Sequence, residues 1–403
     1  MNQSAAIAIV GTFDSKGEEH LFLKKRIEHR GFRTLTINVG TKAHSPFSPD
    51  VDLFLRLKDH GSGSTDSRDE AIQTILALAQ KVIKELYQKK EICGIISAGG
   101  GTGTHLGTSI MRVLPLGMPK VMVSTVASRN MAKIVGTKDI TMMHSVVDLL
   151  GVNSISGGVL DRAAGAVCGM AQKQWEPRIV KKRIALTFFG FITEAAENVK
   201  ACLEKMTYEV IAFHANGTGG MAMEELAAEG YFHGILDLAT HELADELKNG
   251  YCAGIGPERL MPPKGMAIPR LVVPGGLDCA VLEFTRDNVP DELKDRKIFF
   301  YDFRSAIRLS VEETQFLATQ ISGKLNDGPS DIKLLIPTRG WSEADREDGH
   351  LYDPTISMAF IQKLKEELNP QIEIREVDFH INDPAFAELA SSMMNDMLQE
   401  ISK

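Results

Sequence analysis

This sequence predicts an α/β protein of two Rossmann-like, doubly wound lobes, with mostly parallel sheets and a cleft between them. Three observations predict it. Short β-branched apolar runs alternate with Gly-containing turns and helical segments, the pattern of βαβ units. The chain has 403 residues, too many for one ordinary core. The strand pattern also restarts after a polar, proline-containing stretch, AQKQWEPRIVKK at 171–182. There the order IAIVGTF, helix, FRTLTINVG of the first half is echoed by RIALTFFGF, helix, TYEVIAFHA. The expected lobes are residues 1–172, a nucleotide-binding lobe, and 183–403, a lobe for a second ligand or a partner.

In the first lobe, strands are expected at Ala5–Val10, Thr34–Val39, Ile92–Ser97, Lys120–Thr125 and Ile140–Met143. Helices are expected at Lys16–His29, Arg68–Lys89, Thr104–Val113 and Ile155–Met170. Residues 41–66, with HSPFSP and HGSGSTDS, are dense in turn formers and read as a long connection with a mobile tip. After the two opening strands, the second lobe continues with strands at Gly234–Leu238, Arg270–Val273, Lys297–Tyr301, Lys333–Ile336 and Ile372–Val377. Its helices are expected over TEAAENVKACLEKM and at Gly219–Ala228, Glu242–Lys248, Val311–Ser322, Pro354–Glu367 and Pro384–Ile401.

Composition narrows the class. Hydrophobic residues make up 43% and charged residues 24%, as in a soluble globular protein, and the net charge of -8 gives no general attraction to nucleic acid. No apolar run reaches the roughly 20 residues that span a bilayer. The N-terminus lacks the basic region of a signal peptide. The five cysteines are far apart, with no CxxC pair, which fits neither a disulfide framework nor a zinc motif and suits buried thiols in a reducing compartment. A cytoplasmic protein without membrane or nucleic-acid partners is expected.

Ligands of open parallel sheets sit beyond the carboxyl ends of the strands, so the turns there hold the candidates. In the first, GTFDSKGEE, Ser15 and Glu18 match a capping box and Gly31 a helix stop. Lys16 opposes the helix dipole and asks for an anion. In the second, SAGGGTGTHLG, three consecutive glycines follow an apolar strand and open a helix, so that backbone N–H groups could face an anion. The lysine of a P-loop is missing, and Gly101, Gly103 and Gly107 give GxGxxxG rather than GxGxxG. The place for a ribose-binding acid reads Ser124-Thr125, which disfavours a nicotinamide cofactor. Phosphate or nucleotide binding is the better reading. Its candidates are Gly11, Thr12, Asp14, Lys16, Gly99, Gly100, Gly101, Thr102, Gly103, Thr104, Thr125 and Ser128, with Asp14 also a candidate Mg²⁺ ligand.

The second-lobe turns give second-ligand candidates Gly219, Gly220, Gly275, Asp278, Arg339 and Ser342. His380, Asp345 and Glu242 are catalytic candidates. Glu343, Asp345, Glu347, Asp348 and Asp353 read together as a solvated acidic loop, and His214, His233 and His241 have no ligand-like spacing.

On VGTFDSKGEE, SAGGGTGTHLGTSIM, MPKVMVSTVAS, HSVVDLLGVNSIS, FHANGTGGMAMEEL, ILDLATHELADEL, IPRLVVPGGLD, PTRGWSEAD and FHINDPAF, the chain resembles the tomato mosaic virus resistance protein-like ATP-binding family over almost its whole length. The resemblance implies ATP, with Mg²⁺, bound by the first lobe through the GTFDSKGE and AGGGTGT turns, and self-association as a homodimer or higher homo-oligomer. It supplies no agreed reaction. The chain departs from the family's usual threonine pair at Thr240-His241-Glu242 and from its GVTTP-like turn at Gly190-Phe-Ile-Thr-Glu194. Three functions stay open. The first is ATP binding with a second polar ligand between the lobes, with or without phosphoryl or nucleotidyl transfer. The second is a non-catalytic small-molecule sensor. The third is an enzyme on a small phosphorylated or carboxylated substrate, with His380 or His241 as acid–base and no role for ATP.

Overall fold

A computed structural model describes residues 5–59, 68–172, 181–262, 266–328 and 331–400. The chain divides into two compact units, residues 1–177 and 178–403. The first unit runs β1 (Ala6–Gly11), α1 (Phe13–His29), β2 (Arg33–Asn38), β3 (Val51–Asp52), α2 (Leu53–Asp59), α3 (Arg68–Gln88), β4 (Ile92–Gly99), α4 (Gly101–Met111), β5 (Lys120–Ser124), α5 (Ala132–Val135), β6 (Thr141–His144) and α6 (Ser154–Gln172). Its six strands form one parallel sheet in the order β3-β2-β1-β4-β5-β6.

Alternation along β1 explains the layers. Ala8 and Val10 pack with Ile75, Ala79, Leu106 and Ile110 of α3 and α4. Ile7 and Ile9 pack with Leu23, Ile27, Leu160 and Ala163 of α1 and α6. A strand buried on both faces reads as a continuous apolar run, which is why AIAIV was recognisable. The chain reverses its direction of travel across the sheet between β1 and β4. A crevice opens beyond the strand ends at such a switch point.

The second unit runs β7 (Arg183–Phe188), α7 (Thr193–Lys205), β8 (Glu209–His214), α8 (Thr218–Ala228), β9 (Gly234–Ala239), α9 (Glu242–Lys248), β10 (Arg270–Gly275), β11 (Cys279–Leu282), β12 (Ile298–Phe300), β13 (Ser305–Arg308), α10 (Val311–Leu325), β14 (Ile332–Pro337), α11 (Pro354–Glu367), β15 (Glu373–Val377) and α12 (Pro384–Glu400). Six strands form a parallel sheet ordered β15-β14-β10-β9-β7-β8, and β11-β13-β12 form a separate antiparallel sheet. The expected strand at Lys297–Tyr301 therefore belongs to an inserted sheet, not to the parallel one. β11 and β13 were not expected, because each is four residues long and lacks alternation.

Three further expectations are corrected. The connection at 41–66 contains β3 and α2, while residues 60–67, including its expected mobile tip, lie outside the described residues. Helix α4 starts at Gly101, three residues before the expected Thr104, so Gly101 and Gly103 of the expected turn are helical. Helix α1 starts at Phe13, and Ser15 is not its cap. Among the described residues, no helix is long and apolar enough to cross a membrane.

Candidate functional site

The switch point of the first sheet carries a cleft of about 240 Å³. It is lined by the turn after β1 (Thr12, Asp14, Ser15, Lys16), the segment after β2 (Thr41, Lys42) and the start of α4 (Gly100, Gly101, Thr102, Gly103, Leu106). The two turns singled out in the sequence thus face one space. Thr41 and Lys42 were missed, because they lie in the stretch read only as a connection.

The glycines of this wall separate into two kinds. Gly99 is required by packing, since a Cβ there would stand 2.8 Å from the Gly103 Cα. Gly100, Gly101 and Gly103 are not: a Cβ on Gly101 meets nothing within 4 Å, and on the other two nothing closer than 3.7 Å. None of the three has a positive φ. Neither backbone conformation nor neighbouring atoms asks for glycine at these positions. No side chain caps α4, so the positive end of its dipole opens on the cleft.

Lys16 lies at a kink in α1, with φ -130° and ψ 31°, and its Nζ donates to the Leu149 carbonyl. Glu19 accepts from the Gly151 amide at 3.0 Å and Glu18 from the Val152 amide at 3.2 Å. Glu18 is therefore a clamp for the loop after β6 and not part of a capping box. Ser15 donates to Thr12, at 3.0 Å to its hydroxyl. Asp14 Oδ2 accepts the Lys42 amide at 2.9 Å and the Ala43 amide at 3.4 Å. Its carboxylate shapes the loop after β2 through this one oxygen. Lys16 and Lys42 remain as the cations of the cleft.

Several nucleotide candidates lie behind this wall. Gly11 is covered by the His20 ring. Thr104 is buried, its hydroxyl 2.7 Å from that of Ser124. Thr125 borders Gly100 without lining the cleft, and Ser128 is exposed away from the lining. His20 itself, missed in the sequence, is fully buried. Its Nδ1 lies 2.6 Å from the Lys16 carbonyl, so this nitrogen carries the proton, and Nε2 accepts the Ala98 amide at 3.3 Å. Burial pulls its pKa down to about 4.

The second-unit candidates fall into two buried polar clusters. In one, Arg259 meets Asp237 at 2.6 Å, Glu224 at 3.1 Å and Glu242, while Arg270 meets Glu224 at 2.5 Å and Asp237 at 3.2 Å. Burial pushes Asp237 up and the two arginines more than reverse it, holding its carboxyl below the usual range. Burial raises Glu242. Glu242 is thus a fully enclosed ion-pair member and not an exposed acid–base. Gly219 and Gly220 leave room for the His214 carbonyl and the Glu242 carboxylate, 1.8 Å from where their Cβ atoms would stand. They pack inward, against the protein's own polar groups. A larger cavity of about 680 Å³ borders this network; Glu224, Glu225, Glu258 and Arg259 are its charged lining residues, and of these the buried Glu224 and Arg259 pair with each other.

In the other cluster, Ser342 donates to Asp278 at 2.8 Å, and Arg308 from β13 lies 2.9 Å from Asp345 without an aligned N–H. The Trp341 amide donates to Asp345 at 3.0 Å. Burial, and then the Asp278 charge, raise Asp345 to about 7. Of the acidic loop, Asp345 is buried while Glu343, Glu347 and Asp348 are exposed, so the solvated reading fails for the residue with the most unusual environment. Gly340 has φ +128°, and its bare Cα admits the Asp345 carbonyl. His380 Nε2 donates to the Ser342 carbonyl at 3.0 Å and Nδ1 accepts from the Asn382 amide at 3.2 Å, which occupies both nitrogens. Gly275 packs under Ile381 and Ile192, and the Arg339 side chain is exposed outside the cluster. Asp278, Ser342, Asp345 and His380 are thereby brought together, and Arg339 is not.

Comparison with known proteins follows these boundaries. The N-terminal domain of an uncharacterised protein family, UPF0261, matches residues 5–176, and its C-terminal domain matches residues 181–398. A UPF0261 protein of Clostridium tetani (strain Massachusetts / E88) is 37% identical over 98% of this chain and 99% of its own. One of Rhizobium meliloti (strain 1021) is 33% identical over 97% and 98%. The ToMV resistance protein Tm-1(GCR237) of Solanum lycopersicum is 30% identical over 99% of this chain and 56% of its own length. Among solved structures, UDP-N-acetylglucosamine 2-epimerase from Rickettsia bellii aligns over 98% of this chain and 96% of its own at 10% identity, with a TM-score of 0.24. Likeness at that level carries no argument about function.

Proposed function

The chain belongs to the UPF0261 family, and from that premise we propose that its first domain binds the phosphate chain of a nucleotide, ATP in the first instance. One observation carries the reading: Gly100, Gly101 and Gly103 wall the switch-point cleft although nothing inside the protein requires glycine there. A ligand that must approach the backbone explains them. Backbone N–H groups at a helix N-terminus and two lysines make that ligand an anion. The resemblance to ATP-binding proteins noted on these same turns supports a nucleotide.

The cleft volume of about 240 Å³ falls below the roughly 300 Å³ at which pockets for whole drug-sized ligands begin. It suits the polyphosphate, with base and ribose outside. Mg²⁺ would arrive on the phosphates and keep mostly water and phosphate oxygens as ligands. The lining holds no histidine, and its carboxylate, Asp14, is engaged by backbone amides. The cleft therefore has the equipment of a binding site and lacks an unengaged acid–base group, which favours nucleotide binding over catalysis within it.

Titration calorimetry with ATP–Mg²⁺, ADP and inorganic phosphate tests the reading on the wild type, Lys16→Ala and Gly101→Val. Binding by the wild type, weakened in both variants while their melting temperatures hold, is expected. No binding by the wild type, or full affinity in Gly101→Val, would overturn it.

A further inference from the structure

His241 is the N-cap of helix α9, already in helical conformation, and Asp245 follows four residues later, so the two side chains share one face. The loop that follows brings Cys252 back to them. A nitrogen of His241, a carboxylate oxygen of Asp245 and the Cys252 sulfur all lie within 4.8 Å of one another. All three residues are buried, His241 and Asp245 completely and Cys252 with 7% exposure.

The histidine is set in a particular way. Its ring stacks on Phe189 at 4.1 Å, with 8° between the planes. Its Nδ1 is 3.1 Å from the Gly276 carbonyl, and since a carbonyl only accepts, Nδ1 carries the hydrogen. That leaves Nε2 as the inward nitrogen, and it has no hydrogen-bond partner although it is buried. A buried polar atom without a partner is uncommon. Nε2 points toward Asp245 Oδ1 at 3.5 Å, beyond a good hydrogen bond. Asp245 is fixed as well, with Oδ1 accepting the Val281 amide and Oδ2 the Cys252 amide, both at 2.7 Å. The Cys252 thiol also bonds to this carboxylate, which still has a lone-pair site to spare.

We propose that His241 Nε2, Asp245 and Cys252 form a site for a divalent transition metal of the zinc class. A tetrahedral ion with ligand bonds of about 2.0–2.1 Å separates its nitrogen and oxygen ligands by about 3.3 Å, close to the gap found here. A histidine whose other nitrogen donates to a backbone carbonyl is in the tautomer and orientation that metal ligation uses. One thiolate with one imidazole selects zinc or its neighbours over magnesium or calcium. Binding releases the thiol proton to solvent, and a water entering beside Cys252 completes four-coordination. The site belongs to the second unit and does not depend on nucleotide binding by the first.

Cobalt(II) is the probe, added to chelator-treated full-length protein at neutral pH. One cobalt per chain and a thiolate-to-cobalt charge-transfer band are expected in the wild type. The band should vanish in Cys252→Ser and in His241→Gln and persist in Cys93→Ser. A rise in the wild-type melting temperature with zinc, reversed by chelator, gives a readout that does not depend on the variants folding. Absence of the band from the wild type, its persistence in Cys252→Ser, or a melting temperature indifferent to zinc would each overturn the site.

Discussion

A Cβ on Gly11 would stand 2.1 Å from Nε2 of His20, so the end of β1 and the first turns of α1 fit together only because residue 11 is glycine. The same ring holds the Lys16 carbonyl on one side and the Ala98 amide on the other. One neutral imidazole therefore ties the turn after β1 to the end of β4, beside the switch-point cleft. With its pKa at about 4 in the fold against 6.5 unfolded, the unfolded chain binds the proton first. Stability from this group is complete above pH 6.5 and is lost as pH falls, by about 3 kcal/mol at pH 4. Denaturant titrations across this range should show that loss in the wild type and a flatter profile in His20→Gln.

The two kinds of glycine in the α4 turn should behave oppositely. Gly101→Ala should leave thermal stability unchanged or raise it slightly, since alanine is favoured over glycine in a helix by about 1 kcal/mol at most. Gly99→Ala pushes against the Gly103 backbone and should destabilise by roughly 1–3 kcal/mol. Equal effects of the two substitutions on melting would contradict the assignment.

Arg259 faces three buried carboxylates, and removing it leaves Glu242 without an arginine while Arg270 alone still meets Glu224 and Asp237. Arg259→Met should destabilise the second unit by roughly 3–5 kcal/mol, read from denaturant midpoints. The paired substitution Arg259→Met with Glu242→Gln should recover part of the loss.

Asp345 retains its proton to about pH 7. The sign is opposite to that of His20: the stabilising contribution is greatest below the ordinary aspartate range and is lost as pH rises toward 7. Asp278→Asn removes the second cause of the shift and should lower the Asp345 pKa. Carbon-13 titration of the aspartate carboxyls would show this, and an unmoved Asp345 resonance would refute the coupling.

How much could be read in advance depended on the range of the interactions. The apolar runs of β1, β4, β9 and β10 and the bounds of α9 and α11 followed from local pattern. The pattern S-x-x-E shows where that ends. At Ser310 and Glu313 it forms a capping box, with the Glu313 amide 3.2 Å from the Ser310 hydroxyl and the Ser310 amide 2.7 Å from the Glu313 carboxylate. At Ser15 and Glu18 the same letters form none, because Glu18 is drawn to an amide 134 residues away. His20, Lys42 and Arg308 went unread, and the burial of the candidate Asp345 went unread, for the same reason: what defines each is a partner distant in the chain. The two turns that line the switch-point cleft were legible because glycine runs after a strand are a local signal.

The antiparallel sheet inserted between β10 and β14 has a practical meaning for anyone shortening this protein. Excising residues 279–308 would look like trimming an appendage back to a bare six-stranded domain. It would also remove Arg308, which reaches Asp345, the Asp353 carbonyl at 3.0 Å and the Ser357 hydroxyl at 2.7 Å. The start of α11 and the turn after β14 would lose their shared anchor. A minimal version of the domain has to keep the insertion or rebuild that corner.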